Sequence, residues 1–202
     1  MSKARIKICG LRRIDDVEAV NSVMPDYIGF VFAGSRRQVT QETAENLRNN
    51  LDERIQSVGV FVNQPIDFIA GLFDKRIINL VQLHGDEDDE YMESLRYACG
   101  CEIIKSVSIV GELPVLPKAA DYLLFDSASA QRGGTGKTFN RGVLEEYTGI
   151  PYFLAGGLNT ENVGEALRYL LPFGVDVSSG VETDGFKDAD KIKEFIRIVR
   201  GD

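Results

Sequence analysis

The sequence predicts an α/β fold, a single (β/α)8 barrel in which helices surround eight parallel strands. Three observations support this prediction. Eight short runs rich in Ile, Val, Phe and Leu recur along the 202 residues, stretches with helical spacing separate most of them, and no G-x-G-x-x-G pattern follows the first run. Alternating strands and helices imply a parallel sheet covered by helices. An open doubly wound sheet is the alternative, and that fold normally carries the glycine pattern after its first strand.

Each predicted strand is a short apolar run. The runs YIGFVF and SVGVFV are apolar almost throughout, which is typical of parallel strands buried on both faces. Eight units of about 25 residues suit a barrel near the lower end of the usual size. The predicted strands are Arg5–Cys9, Tyr27–Phe32, Ser57–Val62, Asn79–Leu83, Glu102–Val107, Tyr122–Asp126, Tyr152–Ala155 and Gly174–Val177.

Helices are predicted where apolar residues recur on one helical face. The fourth helix is expected at Glu90–Cys99 and the sixth at Gly142–Tyr147, whereas Pro114 and Pro117 interrupt the pattern of the fifth, near 111–119. No linker or low-complexity segment is present, so we expect one domain over residues 1–202. The other helical faces are Ile14, Val17, Ala19 and Val20; Ala44, Leu47 and Leu51; Ile66, Ile69, Ala70 and Phe73; Val163, Ala166, Leu167 and Leu170; and Ile192, Phe195, Ile196 and Val199.

The composition limits the possible partners. A formal charge of −8 disfavours nucleic acid and anionic membranes, whereas an anionic metabolite needs only a few local positive groups. No apolar run approaches the roughly 20 residues that span a bilayer, and the N-terminal residues do not resemble a signal peptide, so we expect a cytoplasmic protein. Three cysteines and one histidine argue against a disulfide framework and a zinc site. We interpret Cys99 and Cys101 as a helix end that leads into the next strand.

Polar residues at the strand ends are candidates for the active site, because a (β/α)8 barrel builds its site at the carboxyl ends of its strands. Cys9 ends the first predicted strand and Asp126 the sixth, and AGGL (155–158) and SSGVE (178–182) follow the last two. Two glycine-rich turns there predict a phosphate site formed by backbone N–H groups, with Asn159 or Thr160 capping the following helix. The alternative is that these glycines only form tight turns.

Cys9 and Asp126 are candidates for proton transfer. A thiolate at neutral pH needs a positive neighbour, and strand alternation places Lys7 on the same side as Cys9. Lys7 could equally belong to a structural charge cluster at the barrel floor with Lys105 and a carboxylate, and Cys9 could be a small buried hydrophobe. Asp126 closes the apolar run YLLFD, where a raised pKa would suit a general acid and a structural role would be to cap the next loop.

That loop, residues 127–138, contains RGGTGKT, which lacks the G-x-x-x-x-G-K-[ST] spacing of a nucleotide-binding loop. We expect a lid or a substrate-side loop instead. Gln82 and His84, at the end of the fourth strand, are possible lining residues of the site. The alternative is that His84 is a structural residue at the strand end, with its ring nitrogens hydrogen-bonded within the protein.

Nine segments in barrel order resemble the phosphoribosylanthranilate isomerase family of tryptophan biosynthesis. The resemblance covers the chain from the first strand to the last helix. The segments are KICGL (7–11), GFVFAGSRR (29–37), VGVFVN (58–63), VQLHG (81–85), IIKSV (103–107), LLFDS (123–127), GGTGKTF (133–139), LAGGLNTENV (154–163) and DVSSGVE (176–182).

The resemblance implies an Amadori rearrangement of N-(5-phosphoribosyl)anthranilate to the 1-deoxyribulose 5-phosphate, in a monomer or homodimer that needs no cofactor or metal. It implies that Cys9 is the general base at C2 of the sugar and Asp126 the general acid on the ring oxygen. Arg37 would hold the anthranilate carboxylate, although Arg36 is adjacent to it. The phosphate would bind at Gly156, Gly157, Ser179 and Gly180.

Two segments depart from the family pattern: Asn140 and Arg141 replace the usual residues after GGTGKTF, and Ala33-Gly34 stands where a proline is common. Other functions fit less well. The aminoaldose isomerase of histidine biosynthesis carries an acid where this chain has Cys9, and a metal-dependent epimerase needs more than one histidine. A catalytically silent barrel that acts as a binding module is the remaining alternative.

Overall fold

The computed structural model of the chain describes residues 4–127 and 141–201. Within them, eight parallel strands pair in chain order and the eighth pairs with the first, which closes the barrel. The predicted (β/α)8 barrel is therefore confirmed, and the open sheet is excluded. The strands are β1 (Arg5–Cys9), β2 (Tyr27–Val31), β3 (Gln56–Phe61), β4 (Leu80–Leu83), β5 (Glu102–Ile109), β6 (Tyr122–Ser127), β7 (Tyr152–Leu154) and β8 (Gly174–Val177).

Helices surround the barrel, and their ends follow from local sequence. The Asp88 and Asp188 carboxylates accept hydrogen bonds from backbone N–H groups at helix starts, and Gly100 and Gly201 end helices in the left-handed conformation. Among the described residues, no helix has the length and apolarity needed to cross a membrane. The helices are α1 (Ile14–Val23), α2 (Gln41–Asn50), α3 (Ile66–Asp74), α4 (Asp89–Cys99), α5 (Val163–Tyr169) and α6 (Ala189–Arg200).

The structure corrects two of the predicted helices. Residues 110–121, all of them described, contain no helix between β5 and β6. Pro114 and Pro117 explain this, because proline lacks an N–H group and restricts the residue before it. Where the sixth helix was expected, the described residues form only a single 3-10 turn, Arg141–Leu144.

An unpredicted antiparallel hairpin follows β8. It consists of β9 (Glu182–Thr183) and β10 (Phe186–Lys187) and pairs Glu182 with Lys187. The Phe186 ring lies against two guanidinium groups, with the Arg12 and Arg13 carbons 4.5 and 4.2 Å from its centroid. The hairpin is therefore fixed against the loop that follows β1.

The barrel interior is apolar in its lower half, toward the strand starts. Buried side chains from five strands fill this layer, and the Tyr27 and Phe173 rings pack edge-on against Phe153. Side chains two residues further along a strand point to the same side but lie nearer its carboxyl end. On β4 and β6 these residues are Gln82 and Asp126. The upper interior is therefore polar. The residues of the lower layer are Val58, Leu80, Ile104, Leu124 and Phe153, and Ala155, two residues beyond Phe153, packs on them.

Candidate active site

Cys9 and Lys7 both face the upper interior from β1. Lys7 is fully buried, and its Nζ donates a hydrogen bond of 2.8 Å to Oδ1 of Asp176 on β8. Burial disfavours the Lys7 ammonium, but Asp176 and Cys9 outweigh it, so the pKa of Lys7 is raised and the group stays charged. The strand pairing explains the contact, since Lys7 lies opposite Asp176 in the β1–β8 register.

The thiol of Cys9 titrates under opposing influences. Burial raises its pKa most strongly, Lys7 and Lys187 lower it, and Asp176 raises it. The net shift is upward from the ordinary value of 9.0. Cys9 is therefore mostly a thiol at neutral pH, and the two ammonium groups stabilise the thiolate that forms when it loses its proton.

Asp126 on β6 lies beside His84, which follows β4. Nε2 of His84 is 3.8 Å from Oδ2 of Asp126. Burial lowers the pKa of His84, so the imidazole is neutral at neutral pH. Nε2 of Gln82 lies 3.2 Å from Nδ1 of His84. If the Gln82 amide donates to Nδ1, the single proton of the neutral imidazole is on Nε2, the nitrogen that faces Asp126. The structure thus brings His84 next to Asp126 and Gln82 next to His84.

Lys105 does not share a cluster with Lys7 at the barrel floor. Its Nζ donates 2.9 Å to Oε2 of Glu87 and 2.8 Å to the carbonyl oxygen of Gly85, beyond the carboxyl end of β4. Lys7 pairs with Asp176 instead. The proposed floor cluster is therefore wrong, and the interpretation of Lys7 as a neighbour of Cys9 agrees with the geometry.

Arg37 is buried and holds a two-point ion pair with Glu182. Its Nε donates to Oε1 at 2.7 Å and its Nη2 to Oε2 at 2.9 Å. Arg36 reaches the same carboxylate at 3.2 Å, but 58% of its side chain is exposed. Of the two adjacent arginines, Arg37 is therefore the one that lies toward the interior. Its side chain packs closely on Gly10, the residue after Cys9, since a β-carbon at Gly10 would lie 2.5 Å from Cδ of Arg37.

The glycine-rich turns after β7 and β8 touch one another. A β-carbon on Gly180 would lie 1.9 Å from the carbonyl oxygen of Leu158, so only glycine fits there. Gly156 and Gly157 have φ values of 80° and 68°, which favour glycine. The helix after β7 begins only at Val163, and the Asn159 side chain accepts hydrogen bonds from the backbone before it. The residues of the predicted phosphate site therefore lie at two adjacent turns, and the α-helix after β7 begins further along the chain.

A cavity of 820 Å³ lies at the opposite end of the barrel, lined by residues at the strand starts such as Arg5, Tyr152 and Phe173. It contains none of the predicted site residues, and the Lys7–Asp176, Lys105–Glu87 and Arg37–Glu182 pairs are not among its lining residues. The GGTGKTF segment and Asn140 lie outside the described residues. Within the described residues, no cluster of three His, Cys, Asp or Glu side chains could hold a metal ion.

Residues 6–198 match the family model described as N-(5'phosphoribosyl)anthranilate (PRA) isomerase. The chain belongs to this family. A relative from Endomicrobium trichonymphae named N-(5'-phosphoribosyl)anthranilate isomerase is 48% identical over 197 residues, which cover 97% of this chain and 98% of the relative. A relative of the same name from Lachnoclostridium phytofermentans is 45% identical over 95% of both chains. The resemblance found in the sequence is thereby confirmed.

Solved structures of the isomerase family agree with the fold. The phosphoribosyl anthranilate isomerase of Thermotoga maritima is 34% identical and superimposes with a TM-score of 0.85, over 98% of this chain and 99% of that one. A further structure is of monomers generated from the dimeric phosphoribosylanthranilate isomerase of Thermotoga maritima, at 32% identity, a TM-score of 0.81 and the same coverage. Another isomerase structure, 31% identical with a TM-score of 0.81 and the same coverage, contains reduced 1-(o-carboxyphenylamino)-1-deoxyribulose 5-phosphate.

The family motifs contain two site residues whose roles the sequence alone did not indicate. Asp176 and Glu182 are the first and last residues of DVSSGVE. A carboxylate inside the apolar run GVDV was a usable signal for Asp176, because a buried carboxylate requires a partner. Lys187 carried no such signal, since the hairpin that brings it to Glu182 was not predictable.

Proposed function

We propose that this isomerase rearranges N-(5'-phosphoribosyl)anthranilate by general acid–base catalysis, with Cys9 as the base and Asp126 as the acid. Membership of the family supports the assignment of the reaction and of its place in tryptophan biosynthesis. The assignment of roles rests on the polar upper interior, where Cys9 on β1 lies beside Lys7 and Asp126 on β6 lies beside His84.

Two proton transfers at different atoms suit this arrangement. Protonated Asp126 donates to the ring oxygen, the bond from that oxygen to C1 breaks, and the nitrogen lone pair forms the C1=N bond of a Schiff base. The Cys9 thiolate then removes the C2 proton, the C2–H electron pair forms a C1=C2 bond, and the π pair of the C1=N bond returns to nitrogen. The resulting enolamine tautomerises to the ketone. Groups on two separate strands can reach the two atoms without moving.

Lys7 supports the base in this proposal. Removal of the Cys9 proton places a negative charge in a buried site, which is costly without a cation nearby. The Lys7 ammonium is present at neutral pH and is held by Asp176, so it need not reorganise during the reaction. Gln82 and His84 line the site on the side of Asp126.

The substrate's two anionic ends match two further groups. We assign its carboxylate to Arg37, because a guanidinium meets a carboxylate at two points. We assign its phosphate to the turns that contain Gly156, Gly157, Ser179 and Gly180. The contact of Gly180 with Leu158 supports this assignment, because it brings the two turns together.

The test uses freshly generated phosphoribosylanthranilate and follows the loss of its fluorescence with the wild type, Asp126→Asn and Cys9→Ser. We expect rapid loss with the wild type and near-background rates with both variants, at unchanged melting temperatures. A wild-type rate equal to the uncatalysed rate would remove the isomerase assignment. Full activity in either variant would remove that residue from its role.

The remaining expectations complete the proposal. The barrel forms one domain over residues 1–202, its partner is a small phosphorylated molecule rather than nucleic acid or a membrane, and it works in the cytoplasm as a monomer or homodimer. The net charge of −8 supports the choice of partner. Light scattering after size-exclusion chromatography will decide between the two assembly states.

A further inference from the structure

Three cations converge on the carboxylate of Glu182, and we propose that this residue aims Arg37 at the substrate's carboxylate. Glu182 would act as a positioning residue that touches Arg37 and not the substrate. The inference rests on the proposed function, in which Arg37 binds the anthranilate carboxylate.

The ion pair uses one edge of the guanidinium and leaves the other available. Arginine has two edges with paired donors, one formed by Nε and Nη2 and one by the two Nη atoms. Glu182 takes the first edge, through contacts of 2.7 and 2.9 Å. Within residues 4–127 and 141–201, Nη1 of Arg37 makes no hydrogen bond. The second edge can therefore receive a carboxylate at two points while Glu182 remains bound.

Glu182 is itself held in place. Nζ of Lys187 donates 2.8 Å to Oε1 of Glu182 and 2.9 Å to the carbonyl oxygen of Ser178. The hairpin register places Lys187 directly opposite Glu182, and only 5% of the Glu182 side chain is exposed. A fixed carboxylate restrains the long Arg37 side chain before substrate arrives, which reduces the entropy lost on binding.

The Arg37 side chain also lies close to Cys9, the proposed base. The side-chain carbons of Arg37 pass over Gly10, the residue after Cys9, so closely that a β-carbon there would clash with Cδ. Arg37 and Lys187 both interact electrostatically with Cys9. A carboxylate bound to the second edge of Arg37 is therefore held at the strand end that carries the base.

The local charges favour one incoming anion. Burial opposes ionisation of Glu182, but Arg37 and Lys187 outweigh it and lower its pKa to about 2, so the carboxylate is charged at neutral pH. The pKa of Arg37 is raised, so its guanidinium stays charged, and Arg36 brings a second guanidinium to Glu182 at 3.2 Å. Burial lowers the pKa of Lys187, so the guanidinium groups rather than Lys187 supply the positive charge that a substrate carboxylate would neutralise.

The test compares two ligands that differ only in the carboxylate. One is reduced 1-(o-carboxyphenylamino)-1-deoxyribulose 5-phosphate and the other is the same molecule with a plain phenyl ring. Calorimetry measures both dissociation constants for the wild type, Glu182→Gln, Arg37→Ala and Glu194→Gln. Glu194 is the matched control, because it forms an equivalent two-point pair with Arg197 on the exposed surface of α6.

We expect the wild type and Glu194→Gln to prefer the carboxylated ligand equally. Glu182→Gln should lose about tenfold or more of its affinity for that ligand, the scale of a hydrogen bond to a charged group, with little change for the phenyl ligand. Its KM should rise more than its kcat falls. Equal weakening of both ligands, or an unchanged preference, would overturn the positioning role.

Arg37→Ala separates this inference from the proposed function. If Arg37→Ala keeps the wild-type preference for the carboxylated ligand, Arg37 does not bind the carboxylate, and both its assignment and the role of Glu182 fail while the acid–base roles of Cys9 and Asp126 stand. If Arg37→Ala loses the preference while Glu182→Gln retains it, the assignment of Arg37 stands and only the role of Glu182 is refuted.

Discussion

Replacing Gly180 with alanine should separate the two turns to which we assign the substrate's phosphate. The new β-carbon would lie 1.9 Å from the carbonyl oxygen of Leu158, whereas real β-carbons essentially never approach another atom within 3.0 Å. One turn must therefore retreat by about 1.1 Å, and a misplacement of about 1 Å can cost about 100-fold in rate. We expect kcat/KM to fall by about that factor and the free energy of unfolding by about 1–3 kcal/mol, as in other overpacked sites.

Steady-state fluorescence kinetics and urea unfolding measure the two effects. Gly71→Ala is the control, because Gly71 lies within α3 and a β-carbon there meets no atom within 4 Å. It should leave the kinetics unchanged and add about 0.5–1 kcal/mol of stability, since alanine is the better helix former. Wild-type kcat/KM in Gly180→Ala would refute either the close approach of the turns or their role in binding phosphate.

Three further predictions concern the buried charges. Lys7→Met leaves the Asp176 carboxylate buried without its partner, so the free energy of unfolding measured in urea should fall by about 3–5 kcal/mol. Adding Asp176→Asn should restore part of that stability. A Lys7→Met variant as stable as the wild type would contradict the pairing. The pKa of Glu182 is lowered from 4.5 to about 2, so its contribution to stability is complete above pH 4.5 and is lost as the pH falls toward 2. The urea midpoint should drop over that range, and less steeply in Glu182→Gln. The pKa of Cys9 lies above 9.0, so alkylation of Cys9 by iodoacetamide, followed by mass spectrometry, should become faster as the pH rises through the neutral range; a rate that is flat above pH 7 would contradict the raised pKa.

The strands and the strand-end residues were predictable because both depend on short-range sequence patterns. Continuous apolar runs marked the buried parallel strands, and the rule that barrel sites lie at strand ends led to Cys9 and Asp126. The same alternation placed Lys7 beside Cys9. The structure agrees with these placements, and the catalytic roles of the residues await the experiments above.

Other features depend on distant contacts that local patterns do not record. Asp176 holds Lys7 across 169 residues of sequence, and Glu182 holds Arg37 across 145. The spacing of apolar residues near 111–119 suggested a helix, although two prolines made it unfavourable. The hairpin that carries Lys187 to Glu182 has strands of two residues each, too short for a periodic signal.

The central claim is that Cys9 takes the C2 proton while Asp126 protonates the ring oxygen. Single-turnover rates with substrate deuterated at C2 of the ribose test this division of roles most directly. In Cys9→Ser, removal of the C2 proton becomes the slow step, so we predict a large deuterium isotope effect on the residual rate. In Asp126→Asn, ring opening becomes the slow step and the isotope effect should vanish. A large effect in Asp126→Asn with none in Cys9→Ser would contradict the account.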